Sequence, residues 1–258
     1  MKTLSTISIS IVSHLQAHLI EALLADLDRC CKTYPLEVVL TLNLPEMLPF
    51  NPSDFSFPVL VHENTAPAGF AANHNRAFSL STGQAFCVMN PDIRLDEEVF
   101  TVLYACLQKD AVGVVAPVVL GANLTLEDSA RRFPTPLKIL CKALGGCRSS
   151  DYVVKTDLIY PDWVAGMFML FRREMYEKLG GFNERYFLYY EDVELCARLR
   201  LQGYKVAMCP AAKVIHHAQR SSHNNLKYLR WHLTSMLRFF LSLSFMRICW
   251  LRMTRRML

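Results

Sequence analysis

Gly180-Gly181-Phe182-Asn183-Glu184-Arg185-Tyr186-Phe187-Leu188-Tyr189-Tyr190-Glu191-Asp192 is the stretch from which the rest of this chain is best read. A glycine pair makes a turn, and an aromatic run follows. Two adjacent carboxylates then open a segment, Val193 to Leu201, with the apolar spacing of a helix. Acidic side chains at a helix start are favoured by the helix dipole, so a solvated pair is the plain reading of Glu191-Asp192. The aromatics change that reading. Phe187, Tyr189 and Tyr190 can wall the pair off from water, and partial burial raises a carboxylate toward useful base strength.

Outward from this stretch, strands and helices alternate. Ile7 to Val12, Glu37 to Leu42, Pro58 to His62, Ala85 to Met89 and Val112 to Val119 are short, β-branched or apolar runs that read as strands. Ala17 to Cys31 places Leu19, Leu23, Leu24 and Leu27 at helical spacing, and Ala71 to Leu80 and Glu97 to Lys109 read as further helices. Residues 121–160 are less regular and read as a loop with short helices over one face. Trp163 to Phe171 reads as a strand, Arg173 to Leu179 as a short helix closed by Gly180, and Tyr204 to Met208 as a strand. This alternation predicts an α/β sandwich with a mostly parallel central sheet.

The net charge of +5 is unevenly spread. From Leu195 to Leu258 there are twelve Lys or Arg and no Asp or Glu, so the preceding residues carry a net negative charge. From Leu226 onward, Trp, Phe, Leu and Met alternate with arginines in the manner of a basic amphipathic helix or helix pair. Such a segment predicts contact with a membrane surface rather than a span. The division expected is a catalytic-type domain over residues 1–225 and a membrane-associating segment over 226–258. Nine cysteines with no C-x-x-C spacing predict reduced thiols in a cytoplasmic protein, and the N-terminus shows no leader pattern.

Three further features carry chemistry. Asn90-Pro91-Asp92 follows a strand, where open α/β sheets bind ligands, and an acid there can hold a divalent cation. Alone, the tripeptide is an ordinary Asn-Pro turn. Gly69-Phe70-Ala71-Ala72-Asn73-His74-Asn75 is a glycine turn entering a helix, whose first amides favour phosphate; a plain capped helix has the same look. His216 follows the apolar Val214-Ile215, in a polar context that fits either a ligand or a structural histidine.

Taken in order, Gly69 to Asn75, Asn90-Pro91-Asp92, Asp162-Trp163-Val164-Ala165-Gly166, Gly180 to Glu184 with Tyr190-Glu191-Asp192, and His216 with Ser221 resemble the family 2 inverting glycosyltransferases of GT-A fold. Within them the chain is most similar to bacterial rhamnosyltransferases of O-antigen and polysaccharide assembly. The resemblance spans roughly residues 5 to 240 and implies a GT-A-type Rossmann-like α/β/α sandwich followed by C-terminal basic helices. It implies that Asp192 is the catalytic base and that Asp92, with His216, holds Mg²⁺ or Mn²⁺. It implies donor contacts from Ser10, Val12, Ser13, Asn43, Gly69, Phe70, Asn73, Asn75 and Asn90. It implies acceptor-side contacts from Trp163, Gly166, Tyr190 and Glu191. The donor implied is a nucleotide-diphospho-sugar, with dTDP-rhamnose first. The acceptor implied is a lipid-linked glycan at the inner face of the plasma membrane, with no nucleic acid partner. Two positions depart from the pattern: Asn90 stands for the first acid of an Asp-x-Asp, and Leu42-Asn43 lacks the acid that usually precedes the asparagine. A sugar-nucleotide-binding relative with weak or no turnover is the alternative that this second departure leaves open.

Overall fold

The computed structural model describes residues 5–143, 146, 150–217 and 226–254. In chain order its elements are β1 (Ile7–Ser13), α1 (Ala17–Cys30), β2 (Leu36–Leu42), a 3-10 turn (Pro52–Asp54), β3 (Val59–Glu63), α2 (Phe70–Leu80), β4 (Ala85–Met89), β5 (Ile93–Arg94), α3 (Phe100–Leu107) and β6 (Val112–Gly121). They continue with β7 (Ala130–Arg131), α4 (Pro136–Ala143), β8 (Trp163–Val164), β9 (Phe168–Arg172), α5 (Arg173–Lys178), α6 (Glu191–Leu201), β10 (Lys205–His216), α7 (Leu226–Phe240) and α8 (Leu243–Thr254).

Eight strands form one sheet in the order β3-β2-β1-β4-β9-β6-β10-β5. β1 runs parallel to β2 and β4, β2 to β3, and β6 to β10; β9 enters antiparallel between β4 and β6, and β5 is antiparallel to β10. The two-residue period of the strands divides the core. Ala85, Cys87 and Met89 of β4 face one layer with Leu23, Leu24 and Leu27 of α1 and Leu103 of α3. Phe86 and Val88 face the other with Tyr176 of α5 and Leu195 and Leu199 of α6. Both faces of the sheet are therefore covered, which is why its strands are nearly continuous apolar runs.

Three sequence expectations change in detail. The run Trp163 to Phe171 is not one strand: Trp163–Val164 pairs with β7 in a separate small sheet, and the chain then bends at Ala165-Gly166 before Phe168 joins the main sheet. The last strand continues beyond Met208 to His216 by a register shift between Cys209 and Lys213, a stretch that contains Pro210. Residues 121–160 hold, besides the expected loop and short helix α4, the short strand β7.

α7 and α8 pack on the body. Phe239 is fully buried among Phe133, Tyr190, Phe240 and Phe245, Ser235 donates to the Leu188 carbonyl at 2.9 Å, and α8 lies against α6. The expected division near residue 225 falls, like Ser221, outside the described residues. Among the described residues no helix is long and apolar enough to cross a membrane, and no cysteine forms a disulfide.

Candidate active site

The carboxyl ends of β1, β2 and β4 converge on an open cleft of about 1000 Å³. Its floor and walls include Val12, Asn43, Gly69, Phe70, Asn73, Asn90, Asp92, Trp163, Gly166, Tyr190, Glu191 and Asp192, all expected from the sequence. Parallel strands end together, so polar residues just after each strand reach the same space.

Asp192 is the best-defined group. Its Oδ2 accepts the Gly166 N–H at 2.9 Å and its Oδ1 accepts the Val193 N–H at 2.8 Å. A Cβ on Gly166 would sit 3.1 Å from the Phe70 ring, so the bend that brings this amide to Asp192 is tightly packed. The backbone before Asp192 is unusual: Tyr189 and Tyr190 both hold left-handed conformations, with φ of 69° and 68°. Each such non-glycine residue stores roughly 1–3 kcal/mol of strain, and consecutive ones mark a segment held by its surroundings. Here the hold is visible. The Phe70 N–H donates to the Phe187 carbonyl at 2.8 Å, and the Tyr189 and Tyr190 rings lie 5.3 and 5.5 Å from the His232 ring of α7.

The two neighbouring carboxyls titrate as a pair. Burial, then the charge of Asp192, pushes the Glu191 carboxyl well above the ordinary carboxylate range, and its Oε2 is buried without a hydrogen bond. Burial also raises Asp192, against the pull of its two amide hydrogen bonds and of the Arg131 charge. Both carboxyls are thus held above the ordinary carboxylate range, which adds basicity to Asp192.

Asp92 lies on the opposite side of the motif order but in the same cleft. Its Oδ1 is buried and receives no hydrogen bond, although His216 Nε2 approaches to 3.3 Å. The other ring nitrogen of His216, Nδ1, is 3.0 Å from Glu127 Oε2. Burial works against charging His216, but the Asp92 and Glu127 carboxylates outweigh it and hold its pKa above that of an ordinary histidine. A divalent cation fits these residues. Adjacent donors on an octahedral Mg²⁺ stand about 3 Å apart, given bond lengths of 2.0–2.1 Å. An orphaned buried carboxylate oxygen beside an imidazole nitrogen has that spacing. Among the described residues no three His, Cys, Asp or Glu side chains make a complete cage, so further ligands would come from substrate or water.

Four expected residues do not line the cleft in the way foreseen. Ser10 is fully buried and its hydroxyl is engaged by His74 Nδ1 at 2.7 Å; burial pushes His74 down to about 3, so it is neutral. Ser13 is fully buried and its Oγ accepts the Gln16 N–H at 3.1 Å, closing the turn into α1. Asn75 is a clamp: it donates to the Phe182 carbonyl and Glu184, and accepts from the Phe182 N–H and the Tyr176 hydroxyl, all within 2.9 Å. It fixes the turn that leads to Asp192 rather than a ligand. His216 stands behind Asp92 and does not itself line the cleft.

The sequence reading missed several groups. Asn64, just after β3, links Asn43 Oδ1 and Asn73 Oδ1 at 2.8 and 2.7 Å, and Asn43 in turn holds the Ala68 backbone. Its position at a strand end, parallel to Asn43, was the available signal. Arg131, Arg132 and Lys138 bring positive charge to the rim, and Tyr228, Trp231 and His232 of α7 close one side. Trp231 packs at a tilt against Phe187 with ring centres 4.7 Å apart. These come from elements distant in sequence, with no local pattern to mark them.

With this geometry in place, comparison with known proteins is specific. Residues 58–234 match the model of the family described as "Glycosyltransferase like family 2", and the chain belongs to that family. It is 30% identical over 158 residues to the rhamnosyltransferase WbbL of Escherichia coli K12, an alignment covering 58% of this chain and 59% of that protein. It is 28% identical over 145 residues to the N-acetylglucosaminyl-diphospho-decaprenol L-rhamnosyltransferase of Mycobacterium tuberculosis, covering 52% of this chain and 47% of that one. The chain thus spans about half the length of the curated relatives it matches. Among solved structures it superposes on GalNAc-T7 with UDP, GalNAc and Mn²⁺ at a TM-score of 0.68 and 15% identity, over 93% of this chain and 48% of that one. It superposes on the Pyrobaculum calidifontis mannosyltransferase PcManGT with GDP-Man and Mn²⁺ at 0.60 and 19%, over 92% and 65%. The fold is the GT-A α/β fold of these glycosyltransferases.

Proposed function

We propose that this chain is an inverting glycosyltransferase that moves rhamnose from dTDP-rhamnose to a glycan on a polyprenyl diphosphate. The observation that carries the reading is the Asp192 carboxylate, fixed by two backbone N–H groups and raised in basicity, in the same cleft as the orphaned Asp92 oxygen. Asp192 takes the proton of the acceptor hydroxyl as that oxygen attacks the anomeric carbon and the nucleoside diphosphate departs from the opposite face. One displacement inverts the configuration. General-base assistance contributes roughly 10²- to 10⁴-fold, and orientation in the cleft supplies much of the rest.

Asp92 and His216 would hold the divalent cation, which when bound offsets charge on the leaving diphosphate. Asn43, Asn64 and Asn73 form a linked amide network at the donor end, with Val12, Gly69, Phe70 and Asn90 around it. Trp163, Gly166, Tyr190 and Glu191 shape the acceptor side. The choice of rhamnose and of a lipid diphosphate acceptor is supported by the names of the two bacterial relatives. A membrane surface as partner is supported by α7 and α8. Leu229, Leu233 and Leu237 on α7 and Met246, Trp250 and Met253 on α8 are exposed, beside Arg230 and Arg247. These helices would form the membrane-associating segment of residues 226–258, at the cytoplasmic leaflet.

The test is a donor panel. Isothermal titration with dTDP-, UDP- and GDP-sugars, with and without Mg²⁺ or Mn²⁺, is expected to favour dTDP-rhamnose and to require the cation for tight binding. Product analysis with an N-acetylglucosaminyl-diphospho-polyprenol acceptor should show transfer. Equal indifference to every nucleotide would overturn the proposal.

A further inference from the structure

Glu127 belongs to none of the stretches that the sequence singled out, yet it meets the candidate metal centre from behind. Its Oε2 lies 3.0 Å from His216 Nδ1, while His216 Nε2 lies 3.3 Å from Asp92 Oδ1. Strand register accounts for the meeting. His216, the last residue of β10, pairs with Gly121 at the end of β6 and with Ile93 of β5. After Gly121 the chain turns sharply, with the Leu124 N–H donating to the Gly121 carbonyl and the Gly121 N–H to the Thr125 carbonyl, each at 2.8 Å. It returns so that the Glu127 N–H donates to Val119 at 2.9 Å. The turn is packed against this carboxylate: a Cβ on Gly121 would lie 3.4 Å from Glu127 Oε1.

A neutral imidazole has one donor nitrogen and one acceptor nitrogen. An ionised carboxylate only accepts, so Glu127 selects the proton on Nδ1 and leaves the Nε2 lone pair exposed toward Asp92. Two acceptors, Nε2 and a carboxylate oxygen that receives no hydrogen bond, then face each other at 3.3 Å. A proton on Nε2, or a cation held by both atoms in its place, satisfies the two acceptors. We infer that Glu127 is the positioning residue of the metal centre, setting the tautomer and ring orientation of His216 so that Nε2 and Asp92 Oδ1 present adjacent donors to a divalent cation. The inference rests on the metal centre proposed above. Such partners behind a ligating histidine typically change metal affinity 10- to 100-fold.

The experiment uses the full chain as wild type, E127Q, E127A, H216A and E127A/H216A. Mn²⁺ affinity is read from the free-ion electron paramagnetic resonance signal, with Mn²⁺ alone and with dTDP present. E127A should bind Mn²⁺ roughly 10- to 100-fold more weakly. E127Q should lose less, because its amide oxygen still accepts the Nδ1 proton. E127A/H216A should be no weaker than H216A, since Glu127 acts through the ring. In the metal-free protein, with the ring neutral, ¹⁵N spectra should show His216 as the Nδ1–H tautomer in wild type and E127Q, and as a mixture in E127A. Wild-type affinity and an unchanged tautomer in E127A would overturn the inference while leaving the metal centre standing, as would a further loss in the double variant. Failure of the wild type to bind Mn²⁺ even with dTDP would remove the metal centre and this inference together.

Discussion

Replacing Gly69 by alanine adds one methyl group where the start of α2 meets the aromatic wall of the cleft. The new Cβ would lie 2.4 Å from the Phe187 carbonyl oxygen and 2.8 Å from Phe187 Cα. Both are backbone atoms, so no side-chain rotation relieves the contact. An unstrained separation is roughly 3.5 Å, and one segment must move by about 1 Å. Movement breaks the hydrogen bond from the Phe70 N–H to Phe187 and pulls on the left-handed pair Tyr189-Tyr190, just before Glu191-Asp192. Overpacking of this kind costs roughly 1–3 kcal/mol, or about 2–12 °C in Tm at this chain length. A displacement of about 1 Å at the reacting groups costs on the order of 10²-fold in turnover. The assay pairs thermal unfolding with kcat/KM for sugar transfer. Gly180→Ala is the control: its φ is +71° but nothing lies within 4 Å of a new Cβ. It should lose roughly 1–2 kcal/mol of stability through the left-handed backbone alone and keep its turnover. Wild-type melting and turnover in Gly69→Ala would refute the claim that the 187–190 wall is held by α2.

Other outcomes follow from the same geometry. Glu191→Gln should stabilise the protein. The wild-type carboxyl is held above its ordinary pKa by burial and by Asp192, so the folded state loses stability as pH rises from the usual carboxylate range toward the raised value. The Tm difference between variant and wild type should therefore widen with rising pH, and a constant difference would contradict the assignment. Arg198→Met leaves Glu194, 4% exposed at its side chain, without its 2.9 Å partner and releases the Leu179 and Gly181 carbonyls. Breaking such a pair costs roughly 3–5 kcal/mol, which thermal melts should show. Removing both Arg230 and Arg247 by Glu substitution should weaken sedimentation with vesicles containing anionic lipid while leaving the melt unchanged; equal sedimentation would argue against the membrane-facing role of α7 and α8.

The alternation of strands and helices was legible because each apolar run is local, and both faces of the sheet are buried as such runs imply. The antiparallel insertion of β9 was not, since pairing partners sit about 80 residues away and leave no mark on Phe168–Arg172 itself. The cleft positions of Asp92 and the residues at strand ends could be read because ligand-facing positions follow from where parallel strands stop, whereas Asp192 stood out by the aromatic run before it and by the family resemblance. Asn75 misled: a polar residue on an early helix turn looks the same whether it meets a nucleotide or, as here, ties down the chain at Phe182. Glu127 and Trp231 carry no local signal at all. Their roles come from a turn folding back on β6 and from α7 crossing the cleft, both long-range events. The basic, aromatic character of the C-terminal segment was plain, but Tyr228, Trp231 and His232 turn out to line the cleft.

The central claim is that Asp192 removes the acceptor proton, and Asp192→Asn tests it most directly. The measurement is the pH dependence of sugar transfer alongside nucleotide affinity in wild type and variant. In the wild type, transfer should fall with acidity through an apparent pKa above that of an ordinary aspartate, because burial raises this carboxyl and only its ionised form is a base. The account predicts that Asp192→Asn loses roughly 10²- to 10⁴-fold in transfer with nucleotide binding retained. Near-normal turnover by the variant would contradict it.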